Sequence, residues 1–480
     1  MATDSLNQKN ETHYRLYRVL PSINDLLLTP ACQELLKTHS HNALLLAARK
    51  AIADLRLEIS SGEHSEQSLR QRIDELTDEI AHRLATGAEY SLRPVINATG
   101  VILHTNLGRA PLSDAALQHL VEVAEDYCNL EFDLETGSRS RRDAHAESLV
   151  LRVLNGAGAG VSDTGRQGVI ITNNCAAATF LALNSLAGKS EVIVSRGELI
   201  EVGGGFRIPE ILEKSGAILK AVGTTNRTRI ADYERALSPA TGLLLRVHQS
   251  NFSIEGFSER PSLPALVALS RRAAIPLFED QGTGLVSSLD PFGIAGEPTL
   301  MQSFELGVDL IAASGDKLLG GPQCGILVSR KDLIERIRKN PLLRAFRVDK
   351  LTYAALEATL LEHLSTEPDS IPVERMLGIP HEEVMRRCRQ VADEIASPHL
   401  VIDVVPVASL VGGGTAPKAA LRSWALSLRH ASLTAAELLG ALRKLQPPIV
   451  GRVAENAVLL DLRTVHPRYD EGLPALLSSL

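Results

Sequence analysis

At 480 residues the chain is too long for one typical compact domain, so two or three domains around a substantial core are expected. Hydrophobic residues at 44% and charged residues at 22% exclude a disordered chain, and a formal charge of -7 excludes a uniformly basic nucleic-acid coat protein. The five cysteines, Cys32, Cys128, Cys175, Cys324 and Cys388, form no C-x-x-C pair, which argues against a zinc site or a disulfide scaffold and for a reducing compartment. The N-terminus lacks the basic start and apolar run of a secretory signal, and no apolar stretch is long enough to span a bilayer. A cytoplasmic protein without membrane partner or bound metal is expected.

From the N-terminus, Leu45, Ile52, Leu55 and Ile59 fall on one helical face and Leu69, Ile73, Leu76, Ile80 and Leu84 on another, with Gly62 separating the two helices. The second stripe is too short to require a coiled-coil seam rather than a core-facing helix. Arg93-Pro94 stops it, because proline forces the preceding residue into extended conformations. From there to about residue 340, apolar runs at 168–172, 191–195, 242–247, 275–278, 310–313 and 325–328 alternate with helical stretches. Near-continuous apolar strands joined by crossover helices predict an α/β core with a mainly parallel sheet, whose ligands bind beyond the carboxyl ends of the strands. The segment Asn155-Gly-Ala-Gly-Ala-Gly160 lacks the spacing of a dinucleotide loop and reads as part of a surface insertion. Beyond residue 350, a long helical pattern, the turn-rich Val411-Gly-Gly-Gly-Thr-Ala-Pro417 and an apolar run at 457–462 predict a small α+β domain. The expected division is a helical N-terminal domain at 1–62, a helical linker at 63–95, a catalytic core at 96–340, and a linker helix with the small C-terminal domain at 341–480.

The run Asp309-Leu-Ile-Ala-Ala-Ser-Gly-Asp-Lys-Leu-Leu-Gly-Gly-Pro-Gln323 delivers Lys317 from an apolar strand into a glycine-rich turn. A lysine that bonds a cofactor aldehyde must reach it unprotonated, which burial or a cationic neighbour favours. By itself, a strand-end lysine is more often a solvated charge. Asp280, in Pro276-Leu-Phe-Glu-Asp-Gln-Gly-Thr-Gly284, ends a second such strand. A carboxylate there would pair with the ring nitrogen of pyridoxal phosphate, whose protonated ring is the better electron sink. Glu279 competes for that role, but strand alternation sends adjacent side chains to opposite sides; an aspartate capping the next turn is the other reading. A third strand end, Ile170-Ile-Thr-Asn-Asn-Cys-Ala-Ala-Ala-Thr179, runs into alanines that favour helix. Asn174, Cys175 and Ala176 would therefore offer free N–H groups to the cofactor phosphate. Cys175 has no adjoining base to activate it and reads as a packing residue. Arg109, and Arg344 with Arg347 at i, i+3 on one helix face, supply guanidinium forks suited to a tetrahedral oxyanion, although taken alone such arginines are more often surface ion pairs.

Further strings extend the pattern: Leu20-Pro-Ser-Ile-Asn-Asp-Leu-Leu27, Arg93-Pro-Val-Ile-Asn-Ala-Thr-Gly-Val-Ile-Leu-His-Thr-Asn-Leu-Gly-Arg109, Val194-Ser-Arg-Gly-Glu-Leu-Ile-Glu-Val-Gly-Gly-Gly-Phe-Arg-Ile-Pro209, Val222-Gly-Thr-Thr-Asn-Arg227, Leu343-Arg-Ala-Phe-Arg-Val-Asp-Lys-Leu-Thr352 and Val450-Gly-Arg452. Together, in one order and nearly end to end, they resemble the bacterial selenocysteine synthases, the L-seryl-tRNA(Sec) selenium transferases. The resemblance implies an aspartate aminotransferase-like, fold-type-I core that uses pyridoxal 5'-phosphate, an N-terminal helical domain that binds the tRNA, and a homodecamer built as a pentamer of dimers. It implies that Lys317 bonds the cofactor, that Arg109, Arg344 and Arg347 line the pocket for the selenium donor, and that Asp316 belongs to the active site. The cofactor set is then Lys317, Asp280, Asn174, Cys175, Ala176 and Ser314, with Arg196 and Glu198 as neighbours of the ring.

The implied reaction converts L-seryl-tRNA(Sec) to L-selenocysteinyl-tRNA(Sec) with selenophosphate. Lys317 takes the Cα proton, the serine hydroxyl leaves to give an aminoacrylate, and selenium adds to it. Two departures from the family pattern are an insertion at about 156–166 and Gln281 in place of the leucine expected after the ring-nitrogen aspartate. The rival readings are another fold-type-I lyase or transferase acting on a small amino acid, and a noncatalytic RNA-binding relative. The full-length helical N-terminus argues against the first, and Lys317, Asp280 and the arginines against the second.

Overall fold

The structure, a computed structural model, describes residues 15–61, 65–87, 90–155, 167–203, 205–365, 370–417 and 419–480. The insertion at 156–166 and the break at Gly62 lie outside the described residues. The chain divides after Pro94 into two compact units.

The first unit is helical, with α1 (Ile23–Leu27), α2 (Pro30–Leu35), α3 (His41–Ser61), α4 (Glu66–Asp74) and α5 (Leu76–Gly87). Ser22 and Thr29 cap α1 and α2 by accepting the N–H groups of Asp25 and Cys32, and Pro30 fits the first turn of α2. Leu44, Ala48, Ala51, Ile52, Leu55 and Ile59 form one buried stripe on α3, and Leu69, Leu76, Ile80 and Leu84 share its core. Leu45, expected in that stripe, is only half-buried. The stripe at 69–84 is divided at Glu75, where α4 ends and α5 begins. Ion pairs of Arg72 with Glu79 (2.6 Å) and Arg83 with Asp54 (2.7 Å) brace the helices.

The second unit begins with β1 (Ile96–Asn97) and β2 (Val101–Leu103). It continues through β3 (Gln167–Thr172), β4 (Glu191–Ser195), a small hairpin of β5 (Glu201–Val202) and β6 (Phe206–Arg207), β7 (Ile218–Val222), β8 (Thr241–Val247), β9 (Leu277–Asp280), β10 (Leu310–Ser314) and β11 (Gly325–Arg330). Seven of these make one sheet in the order β3-β11-β10-β9-β8-β4-β7. Only β11 runs antiparallel to its neighbours. Ile170, Val194, Leu245, Phe278, Ala312 and Leu327 enter one core, while Ile171, Ile193, Leu244, Leu277, Ala313 and Ile326 enter those on the opposite face. Burial on both faces is why these strands read as unbroken apolar runs. The edge strand β7 lacks that signal because Ile218 and Leu219 remain largely exposed.

A second sheet has the order β15-β16-β13-β12-β2, formed from β12 (Leu400–Gly412), β13 (Ala420–His430), β15 (Arg452–Ala454), β16 (Ala457–Asp461) and β2; a two-residue β14 (Ile449–Val450) pairs with β1. Residues just after Pro94 thus join the C-terminal part of the fold before the chain builds the large sheet. Asp461 is fully buried and accepts from the Ser409 and Ser423 hydroxyls (2.6 and 2.7 Å) and the Arg463 N–H (3.1 Å), clamping β12 and β13 to β16. The turn after β12 carries Gly414 to Lys317, just beyond β10.

The two strand ends that matter most meet through a glycine. Gly284 has φ +71, and a Cβ there would overlap the Ser314 carbonyl and press on Leu319. Gly284→Ala should therefore destabilise the fold by more than about 1 kcal/mol and weaken cofactor uptake, because relief requires the Asp280 turn to move from β10. Thermal unfolding of the cofactor-free protein and a cofactor titration measure the two effects; an unchanged midpoint with unchanged uptake would contradict this packing.

Candidate active site

Three parallel strand ends and one helix start surround a cavity of about 290 Å3, close to the lower limit of roughly 300 Å3 for small-molecule sites. Lys317 stands in the turn after β10, with a relative exposure of 8% that rejects the solvated-charge reading. Its Nζ donates to Gly414 O at 3.3 Å. Burial lowers its ammonium below the ordinary lysine range, the Arg109 guanidinium adds to this, and the Asp280 and Asp316 carboxylates oppose it. A Cβ on Gly414 would lie 2.9 Å from Nζ, so the turn after β12 needs glycine for this approach.

Asp280, the last residue of β9, lines the same cavity. Its register opposite Val247 of β8 and Ala312 of β10 sets it beside the strand that leads to Lys317. Thr179 Oγ1 donates to Asp280 Oδ2 at 2.9 Å and Cys175 Sγ lies 3.6 Å from Oδ1, so consecutive turns of one helix hold both carboxylate oxygens. Burial pushes the Asp280 carboxyl up; Thr179 and Lys317 pull it back. Glu279 is buried away from the cavity, where Ser303 and Arg246 offset part of its own upward shift. Gln281 is fully buried and structural: it donates to Pro298 O (2.7 Å) and accepts from Gly284 N (3.0 Å), polar bonds that a leucine there would not make.

The helix that begins at this edge is α6 (Cys175–Ala187), with Asn174 as its cap, accepting from Ala177 N at 2.8 Å. The N–H groups ahead of Ala177 have no intrahelical acceptor, and Asn174, Cys175 and Ala176 all line the cavity. The Cys175 thiol is pushed well above its ordinary range, first by burial and then by Asp280, which leaves it an unreactive packing and hydrogen-bonding group. Ser314 and Asp316 line the cavity too. Asp316 accepts from Arg109 Nη1 at 2.5 Å, and its carbonyl accepts from Ala110 N at 3.3 Å. These groups fit pyridoxal 5'-phosphate: a dry lysine for the aldehyde, a carboxylate across the cavity for the ring nitrogen, and a helix start for the phosphate.

Four other expected residues are placed differently. Arg344 is exposed and Arg347 pairs with Glu131 at 3.6 Å; neither lines the cavity of its own chain. Their shared helix face is not formed, because the helix Leu342–Phe346 ends before Arg347, which is extended ahead of the cap that Asp349 provides for the next helix. Phe346 O nonetheless accepts from the N–H of Asn173, which precedes the cavity-lining Asn174, and the Phe346 ring meets Phe180 edge-on. Arg196 bonds to the carbonyls of Ala221 and Gly223, and buried Glu198 pairs with Arg246 (2.8 Å), so neither borders the cavity. Sequence reasoning missed Thr179, Gly414 and His248 at the site. Thr179 carried a signal, since it follows Cys175 by one helical turn.

The lowered Lys317 ammonium has a measurable consequence. Lys317→Met should raise the thermal midpoint of the cofactor-free protein at neutral pH. Below its lowered folded value the buried ammonium costs stability, and that cost vanishes as pH rises toward the unfolded value near 10.5. The gain should therefore shrink between those two values; a pH-independent gain would reject desolvation as its cause.

Comparison with known proteins agrees with this geometry. The chain is 42% identical over 465 residues, 95% of each protein, to the L-seryl-tRNA(Sec) selenium transferase of Moorella thermoacetica. It is 40% identical over 472 residues to the protein of that name from Geobacter sulfurreducens, covering 97% of this chain and 98% of the other. Among solved structures, a D-glucosaminate-6-phosphate ammonia-lyase shares the fold with a TM-score of 0.55 at 19% identity, covering 81% of this chain and 95% of that one. The family model for the N-terminal region of selenocysteine synthase matches residues 17–56, and the L-seryl-tRNA selenium transferase model matches residues 95–466. The chain belongs to the L-seryl-tRNA selenium transferase family.

Proposed function

We propose that the protein converts L-seryl-tRNA(Sec) to L-selenocysteinyl-tRNA(Sec), with pyridoxal 5'-phosphate as cofactor and selenophosphate as selenium donor. One observation carries the reading: in a chain alike end to end with proteins of that name, a buried lysine with a depressed ammonium and a hydrogen-bonded aspartate face one cavity. The bound cofactor supplies an electron sink for charge developing at the serine Cα.

The side chains have separable tasks. Lys317 Nζ, kept dry, bonds the cofactor and moves the Cα proton. Asp280, held by Thr179, keeps the proton on the ring nitrogen, and the first turn of α6 holds the phosphate through its N–H groups. Arg109, oriented by Asp316, directs its fork to the selenium donor. Arg344 and Arg347, outside the cavity of their own chain, serve donors across subunit contacts in a homodecamer. The N-terminal domain, 1–62, binds the tRNA, the linker at 63–95 joins it to the core, and the enzyme works in the cytoplasm. Among the described residues, no helix is long and apolar enough to cross a membrane.

Purified protein loaded with cofactor should convert seryl-tRNA(Sec) in the presence of selenophosphate and leave free serine and seryl-tRNA(Ser) unreacted. Activity confined to free serine would sink the assignment. Lys317→Ala should abolish both turnover and the visible band of the lysine-bound cofactor. Arg344→Ala should leave tRNA affinity intact while raising the selenophosphate requirement at least about tenfold, the scale of one lost charged contact; weakened tRNA binding with an unchanged donor response would reject its role.

A further inference from the structure

His248 directly follows β8, and its N–H donates to Asp280 O at 3.0 Å, so its backbone is fastened to the residue facing Lys317. The imidazole borders the Lys317 cavity and also a second, larger cavity of about 580 Å3. Its Nε2 meets Glu297 Oε1 at 2.6 Å, and both side chains are about nine-tenths buried. Glu297 reaches it from a loop that turns through Gly293 and Gly296, both at positive φ. The Glu279 and Asp280 carboxyls also act on the imidazole, and Arg260 acts on Glu297. Among the described residues, only Nε2 of the ring has a hydrogen-bond partner, which leaves Nδ1 for a ligand.

A carboxylate bonded to one ring nitrogen sets the orientation of an imidazole and stabilises its protonated form while the other nitrogen exchanges a proton. Loss of the serine hydroxyl demands such a group, because hydroxide is a poor leaving group unless it is protonated as it departs. Lys317 is engaged with the Cα proton. We propose that His248, oriented by Glu297, is the general acid that protonates the departing seryl oxygen; this rests on the functional reading above. The Cα–H bond breaks with its proton passing to Lys317 Nζ. The Cβ–O bond breaks with its electron pair going to oxygen, which takes the proton from His248 Nδ1. Water leaves as the Cα–Cβ double bond forms, and no external oxidant or reductant is required.

The test varies the leaving group. His248→Gln keeps a polar side chain that can reach Glu297, and it is compared with the unaltered holoenzyme in single turnovers with selenophosphate. On seryl-tRNA(Sec) its rate should fall by about 10²–10⁴-fold, the usual worth of general acid catalysis. On β-chloroalanyl-tRNA(Sec), whose chloride departs without a proton, the same variant should recover to within about fivefold of the unaltered enzyme, a residue too small for lost acid catalysis. Glu297→Gln should show the same dependence on leaving group with a smaller loss, and the affinity of His248→Gln for seryl-tRNA(Sec) by filter binding should be unchanged. Equal losses on both substrates, no loss on either, or weakened tRNA binding would overturn the proposal. An unaltered enzyme inactive on seryl-tRNA(Sec) would reject the functional reading itself, a separate outcome.

Discussion

Keeping the Lys317 ammonium out of water is the constraint around which the second unit is arranged. An ion removed from water costs several kcal/mol even after local relaxation, and each unit of pKa displacement corresponds to about 1.4 kcal/mol. Among the described residues, its hydrogen bonding is confined to Gly414 O at 3.3 Å, too long to offset that cost. Geometry holds it instead. β10 is paired on both sides, to β9 and β11, so the turn that begins at Ser314 starts from a fixed position. Gly284 and Gly414 let a neighbouring turn and the C-terminal sheet close over the side chain. The ammonium stays depressed because the surrounding fold keeps the side chain buried.

Asp280 meets the same burial with the opposite charge. Burial pushes both groups toward neutrality, lowering the lysine and raising the aspartate. A proton-moving amine needs that shift, whereas a carboxylate that must stay anionic opposite a ring N–H does not. The hydrogen bond from Thr179 and the contact from Cys175 offset part of that rise at Asp280, just as the Asp280 and Asp316 carboxylates offset part of the fall at Lys317. Two groups in one cavity thus share one dominant cause, burial, and differ in the contacts that oppose it. α6 supplies both contacts and also the unpaired N–H groups of its first turn, so one helix contributes both to the Asp280 site and to the cavity wall.

Six of the seven strands of the large sheet could be read from the chain because burial on both faces forces unbroken apolar runs, and their carboxyl ends pointed to Asn174, Asp280 and Lys317. The long strands β12 and β13 could not. Apolar residues occur along β12 with Val401 and Leu410 exposed, and Pro406 interrupts it, so neither alternation nor a continuous run marks it. The C-terminal contribution to the cavity, Gly414, was hidden with them. His248 and Glu297 are 49 residues apart and meet only through the fold, which local patterns cannot register. The i, i+3 spacing of Arg344 and Arg347 suggests one helix face, but the helix ends at Phe346 and Arg347 is already extended.

Arg109 shows how backbone and charge are combined at the cavity's mouth. It has φ +63, in the left-handed region that a side chain occupies at a cost of roughly 1–2 kcal/mol. The preceding turn of Thr105–Leu107 and Gly108 leads into that conformation, and Ala110 N is anchored on Asp316 O. The Asp316 carboxylate then takes Nη1, leaving the other edges of the guanidinium directed by a fixed plane. A lysine at this position would carry the charge without the plane, and Asp316 would consume its single ammonium. The strained backbone and the ion pair therefore do one thing together: they fix the plane of a guanidinium at the cavity that Lys317 also lines.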